Sequence, residues 1–214
     1  MNRIIPSIAS ADPIRIETEL NRISESSECH LDIEDGNFIP NITFGMKTVK
    51  AIASVWQGKL DAHLFTTNPG SYIKKLADCG VDSISFHVET ESYPLELLRF
   101  IQSYGIKAGF AFNPGTPLEP FSYMLPMADY LLLMSSEPDG KGQEFLPHTF
   151  ERVKYLRQVL DRNVEIWVDG GIDKEKAIQL CAHGANVLIM GRSVFDAVEA
   201  ASYIRDVTDA INKG

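Results

Sequence analysis

The 214-residue chain is short of several things, and each shortage closes off a class of function. It has only 3 cysteines, Cys29, Cys79 and Cys181, and no Cys-x-x-Cys pair. A zinc knuckle and a dithiol redox site are therefore excluded. Each cysteine adjoins an apolar run, so all three are expected to be buried free thiols in a reducing compartment. Basic residues are outnumbered, with 20 Lys and Arg against 29 Asp and Glu and a formal net charge of -9. Neutralising a nucleic-acid backbone needs clustered cations, so no nucleic-acid partner is expected. A small phosphorylated ligand needs only local donors and stays compatible with this balance. No apolar stretch reaches the roughly 18 residues needed to cross a bilayer. The opening MNRIIPSIASAD is apolar too briefly for a signal peptide. No membrane partner is expected, and the expected location is cytoplasmic.

What the chain does have is a repeating pattern. A short apolar run, a turn and an amphipathic stretch recur along its length. The runs are Ile4–Ala9, His30–Ile33, Leu60–Phe65, Ser83–Val88, Lys107–Phe112, Tyr130–Met134, Glu165–Asp169 and Val187–Met190. Between them the apolar residues take helical spacing, as in Ile14, Ile16, Leu20 and Ile23, in Tyr72, Ile73, Leu76 and Ala77, and in Val153, Leu156 and Val159. Eight strands alternating with helices imply parallel strands joined by right-handed crossovers. With 44% hydrophobic residues and no linker or charge block, residues 1–214 read as one (β/α)8 TIM barrel domain. An open doubly wound sheet is the rival, but no Gly-x-Gly-x-x-Gly follows the first run.

A barrel carries its chemistry where the strands end. His30, Asp32 and Glu34 alternate along the second strand and share a face, as do Asp61, His63 and Phe65 on the third and Glu165, Trp167 and Asp169 on the seventh. Two histidines and two carboxylates converging on one mouth match a site for one divalent transition metal, with Zn, Fe, Mn or Co better suited than Mg or Ca. Glycines leave the seventh strand at Gly170 and Gly171 and the eighth at Gly191, and Gly140 and Gly142 follow the sixth. Such turns let backbone N–H groups approach an anion, and Lys141 and Arg192 stand nearby, which points to a phosphate. A metal, two carboxylates and a phosphate anchor suit proton transfer next to a carbonyl, with metal-assisted hydrolysis as the competing use of the same ligands. His87 and Glu89 end the fourth strand and are as readily structural as functional. His148 and His183 read as surface residues, Trp167 as barrel core and Trp56 as helix-end packing.

Several blocks resemble the ribulose-phosphate 3-epimerase family. They are Pro6-Ser7-Ile8, His30-x-Asp32-x-x-Asp35-Gly36, Phe38-Ile39-Pro40-Asn41-Ile42-Thr43-Phe44-Gly45, Asp61-Ala62-His63-Leu64, Phe86-His87-Val88-Glu89, Asn113-Pro114-Gly115-Thr116-Pro117, Gly142-Gln143-Glu144-Phe145 and Val168-Asp169-Gly170-Gly171. The resemblance implies a barrel that inverts C3 of a ketose phosphate through an enediolate, with His30, Asp32, His63 and Asp169 as metal ligands. Asp32 and Asp169 would also be the two acid/base catalysts. Ser7, His63 and Met134 would touch substrate, and Gly140, Lys141, Gly142, Gly170, Gly171, Gly191 and Arg192 would hold its phosphate. The partner would be a small phosphorylated ketose of the ribulose 5-phosphate/xylulose 5-phosphate type, and the chain is expected to form a homo-oligomer.

Departures mark a divergent branch. The family commonly has Met where this chain has Glu34 and Phe65, so these two residues are the candidates for altered specificity. Its phosphate loop usually reads Pro-Gly-Phe-Gly-Gly-Gln, against Pro138-Asp139-Gly140-Lys141-Gly142-Gln143 here, and a small Ser is common where Arg192 stands. Glu34 is read as a metal ligand, a substrate contact or one half of a rim ion pair with Lys141 or Arg192. The alternatives to ribulose 5-phosphate are another pentulose or hexulose phosphate, such as allulose 6-phosphate, or a sugar-phosphate-binding barrel without turnover.

Overall fold

The computed structural model describes residues 1–138 and 144–213. Gly140, Lys141 and Gly142, three of the expected phosphate contacts, lie outside these residues. Eight parallel strands form one sheet: β1 (Arg3–Pro6), β2 (Glu28–Glu34), β3 (Lys59–Phe65), β4 (Ser83–His87), β5 (Lys107–Phe112), β6 (Tyr130–Met134), β7 (Glu165–Asp169) and β8 (Val187–Met190). Their order is β1-β8-β7-β6-β5-β4-β3-β2. One parallel bridge from Ser7 to His30 joins the two ends, so the sheet curls into a barrel rather than lying open. The expected strands therefore stand, with one correction. β1 stops at Pro6, and Ile8–Ser10 turn into a short 3-10 helix, which aims Ser7 into the mouth.

Strand alternation sorts the apolar residues into two layers. Leu31, Ile33, Ala62 and Leu64 point outward into the core under the helices. Ile5, Phe65, Tyr130, Leu132, Met134, Trp167 and Ile189 fill the barrel interior, with Tyr130 stacked on Trp167 at 4.0 Å between ring centroids. The covering helices are α1 (Ile16–Arg22), α2 (Met46–Val55), α3 (Gly70–Asp78), α4 (Pro94–Gln102), α5 (Thr149–Val159), α6 (Lys174–His183), α7 (Arg192–Phe195) and α8 (Ala200–Ile211). Two residues of the expected apolar faces are exposed. Ile14 precedes α1, which starts only after Pro13, and Val159 is the last residue of α5. The β5–β6 crossover lacks the expected α-helix and makes two 3-10 turns, Glu119–Phe121 and Leu125–Met127. Pro114, Pro117, Pro120 and Pro126 explain this, because each removes an N–H that a helix would need. Of the cysteines, Cys29 is buried and free, whereas Cys79 and Cys181 are free but only partly covered, since they lie at the end of α3 and in the last turns of α6. Among the described residues, no helix is long and apolar enough to cross a membrane.

Candidate active site

The register of β2 against β3 pairs His30 with Asp61, Asp32 with His63 and Glu34 with Phe65. Asp169 reaches the same point from β7, across the barrel. His30, Asp32, His63 and Asp169 are all buried, and one donor atom from each lies within 4.8 Å of the others. His30 Nε2 is 3.0 Å from Asp32 Oδ1 and 3.8 Å from Asp169 Oδ2. His63 Nδ1 is 3.7 Å from Asp32 Oδ1 and 3.5 Å from Asp169 Oδ2. The Ser7 hydroxyl donates to Asp32 Oδ2 at 2.5 Å, so the 3-10 turn after β1 fixes one edge of that carboxylate.

Charge is unevenly shared in the cluster. Burial lifts the Asp169 carboxyl, the neighbouring Asp32 adds to this, and it is pushed up to about 8. Burial acts on Asp32 in the same direction, but His30 and the Ser7 hydroxyl outweigh it and hold Asp32 below its usual value. The His30 ring is also buried, yet Asp32 and Asp61 raise it well above the ordinary imidazole range. His63 goes the other way, driven low by burial and by the histidines on either side, so it is neutral. His63 Nδ1 is buried, faces two carboxylates and has no hydrogen-bond partner. An orphaned ring nitrogen beside two carboxylates and a second imidazole is the donor set a divalent transition metal takes, and these residues fit such an ion.

Each histidine is gripped from behind. His30 Nδ1 donates to Asp61 Oδ2 at 2.6 Å, and Asp61 Oδ1 accepts from Ser83 Oγ at 2.5 Å and from Tyr130 OH at 3.1 Å. His63 Nε2 lies 3.0 Å from His87 Nε2, and His87 Nδ1 lies 3.2 Å from Glu89 Oε2. His87 is driven low by burial against the opposing pull of Glu89, so it too is neutral. Asp35 holds the loop after β2 by accepting from the N–H groups of Asn37, Phe38 and Thr67.

Two cavities meet over Asp32 and Asp169. The larger, about 550 Å³, is lined by Ser7, Gly170, Gly171, Gly191, Arg192 and Lys176. Gly170 and Gly171 have φ of 114° and 62°, in the left-handed region that favours glycine, and a Cβ on Gly170 would overlap Ser136 Oγ. The smaller, about 280 Å³, is lined by Glu34, Ile39, Asn41, Thr43, Phe65 and Arg192. Burial and the charge of Asp32 push Glu34 up to about 7 against a hydrogen bond from Asn41, and its Oε2 has no partner. Phe65 packs against His63 with the rings tilted and their centroids 3.9 Å apart. Met134 is buried at the end of β6, in register with Asp169. His148 and His183 lie away from the cluster, with His148 Nε2 at 3.1 Å from the Pro114 carbonyl and His183 Nδ1 at 2.7 Å from that of Gln179.

The sequence brought forward all four clustered residues, Ser7 and the glycine turns. It missed three things. Lys176 lines the larger cavity, paired with Asp173 at the start of α6, and helical spacing carries no sign of that. Asp61 was on the right face but sits one layer below the mouth, behind His30. The contact between His63 and His87 depends on how neighbouring strands lie together, although both residues end adjacent strands and that could have raised the question.

Residues 3–195 match the sequence profile of the ribulose-phosphate 3 epimerase family. The ribulose-phosphate 3-epimerase of Synechocystis sp. is 38% identical over 214 residues, covering 97% of this chain and 93% of that protein. The protein of the same name from Bacillus subtilis is 34% identical over 214 residues, covering 96% and 99%. Among solved structures, 3-hexulose-6-phosphate synthase from Salmonella typhimurium superposes with a TM-score of 0.76 at 15% identity, covering 98% of each chain. Orotidine 5'-phosphate decarboxylase from Pyrococcus horikoshii does so with a TM-score of 0.72 at 14% identity, covering 99% of this chain and 100% of that one. At such identities these two bear on the fold alone.

Proposed function

Because the chain belongs to the ribulose-phosphate 3 epimerase family, we propose that it inverts C3 of a ketose phosphate, using Asp32 and Asp169 as the two proton carriers. The observation that carries this reading is the placement of two buried carboxylates, flanked by two histidines, on the floor where the two cavities meet. His30, Asp32, His63 and Asp169 would hold one divalent transition metal, which supplies a Lewis acid that makes a C–H next to a carbonyl more acidic. One carboxylate removes the C3 proton from one face, and the other returns a proton to the opposite face, so the configuration inverts with no net loss of atoms. Ser7 orients Asp32 for its part in this exchange. The glycine turns at 170, 171 and 191, together with Arg192, take the phosphate in the larger cavity, as strand-end turns in barrels commonly do.

Glu34 supports a second reading of the substrate. Glu34, whose buried Oε2 has no hydrogen-bond partner, lines the smaller cavity beside Asn41 and Thr43, where its carboxylate would accept a hydrogen bond from a sugar hydroxyl. That favours a pentulose or hexulose phosphate other than ribulose 5-phosphate. Deuterium exchange tests both readings. Zinc-loaded protein is incubated in D2O with ribulose, xylulose and allulose phosphates, with chelated protein and Asp169→Asn as controls. Deuterium at C3 of one epimer pair is expected, with inversion slowed at least about 100-fold by Asp169→Asn. Inversion at C3 that survives Asp169→Asn undiminished removes the two-carboxylate scheme. No label in any sugar, with metal bound, means a substrate outside these sugars or a pocket remade by Glu34, and label restored by Glu34→Met selects the second.

A further inference from the structure

His63 and His87 face each other 3.0 Å apart through their Nε2 atoms, so one of these nitrogens must donate and the other accept. With one proton on each ring, two arrangements satisfy this. In the first, His63 carries its proton on Nε2, His87 accepts it and carries its own on Nδ1. In the second, His87 donates from Nε2, and the His63 proton is forced onto Nδ1. Glu89 selects between them. Its Oε2 lies 3.2 Å from His87 Nδ1, and an ionised carboxylate accepts but cannot donate. Its other oxygen takes the Asn113 N–H at 2.8 Å and the Thr116 hydroxyl, which keeps Glu89 ionised and aimed. The loop that supplies these donors is itself tied down, since Arg152 donates to the carbonyls of Asn113, Pro114 and Thr116.

We propose that Glu89, acting through His87, fixes the tautomer of His63 that leaves Nδ1 bare and turned toward Asp32 and Asp169, so that His87 and Glu89 are positioning residues of the metal centre. An independent observation agrees. His63 Nδ1 lies 3.5 Å from Asp169 and 3.7 Å from Asp32 yet makes no hydrogen bond, as a nitrogen presenting a lone pair to carboxylates must. The inference rests on His63 being a ligand, and it adds the device that keeps it competent before any ion arrives. Outer partners of ligand histidines typically change metal affinity about 10- to 100-fold when altered.

Glu89→Gln tests it without substrate. A glutamine has one acceptor oxygen, which Asn113 and Thr116 claim, and its NH2 then faces His87 Nδ1. His87 must accept there and donate from Nε2, and the His63 proton moves to Nδ1. Long-range 1H–15N spectra of histidine-labelled, metal-free protein read the tautomers, and titration with zinc reads the affinity. The native chain is expected to show His63 protonated at Nε2 and His87 at Nδ1. Glu89→Gln is expected to reverse both and to weaken zinc binding about 10- to 100-fold. Unchanged tautomers with affinity within about twofold of the native chain would overturn the proposal. So would a native His63 protonated at Nδ1, a measurement that needs no variant to fold. A native chain that binds no zinc at all defeats the metal-centre reading instead, which separates the two failures.

Discussion

His30 and His63 stand 5.7 Å apart, ring to ring, and present one nitrogen each to the same pair of carboxylates, yet they are supported in opposite ways. Behind His30 is Asp61, fully buried and taking three donors directly, so that side is anchored by a charge inside the barrel. Behind His63 is a second neutral ring, and the charge is one step further out, on a half-buried glutamate held by the β5 loop. The first support is part of the fold, because the charge cannot leave the interior without stranding Ser83, Tyr130 and His30. The second lies near the rim and can change without emptying the core. A barrel can thus hold two identical ligands with one support devoted to stability and the other to readiness for the ion.

The largest expected effect breaks the first support. Asp61→Asn leaves one acceptor oxygen for three buried donors and removes the partner of a charged His30. It should cost about 3–5 kcal/mol of stability, read from urea unfolding. A loss under about 1 kcal/mol would mean the two supports are alike. A smaller effect concerns pH. Hydrogen bonds from His87, Thr116 and Asn113 outweigh burial and hold the folded Glu89 below the usual glutamate value of 4.5. A depressed folded value gives stability that is fully present above the unfolded value and is lost as pH falls through the folded one. Native chain and Glu89→Gln should therefore differ in stability at neutral pH, and the difference should shrink steadily as pH is lowered below about 4.5. Unfolding curves at a series of pH values check this, and a constant difference would show that Glu89 charge is idle. The smallest effect belongs to Thr116→Val, which removes one of two donors to Glu89 Oε1. Roughly 0.5–1.5 kcal/mol of stability is expected to go. Zinc affinity should move by less than about threefold, because Asn113 still holds the carboxylate.

The difference between the two histidines also marks where reading the sequence stops. Alternation along β2, β3 and β7 placed His30, Asp32, His63 and Asp169 on inward faces, because a strand has only two faces and the opposite one is filled by Leu31, Ile33, Ala62 and Leu64. The strand positions were legible for the same reason, and the turn glycines because left-handed backbone leaves few other choices. Depth was not legible. Asp61 and His63 share a face, but the register pairs Asp61 with His30 and so puts it one layer down. The partnership of His63 with His87 depends on the approach of two strand ends, which neither strand's own pattern contains. The β5–β6 crossover departs from the strand–helix alternation because its prolines deny a helix the N–H groups it needs.

The seam of the barrel is the bridge between Ser7 and His30, and Ser7 is also the residue that steadies Asp32. β1 is laid down first but is paired along its length with β8, from Arg3 with Val187 to Pro6 with Met190. During synthesis the ribosome therefore releases the cluster from β2, β3 and β7 before β1 has its lasting neighbour. The hydroxyl that completes the Asp32 environment locks into place only once the chain has emerged past Met190, the strand pairing most distant in sequence among the described residues and the kind that closes slowly. A nascent chain stalled short of β8 would carry nearly every reactive side chain and still lack a finished site.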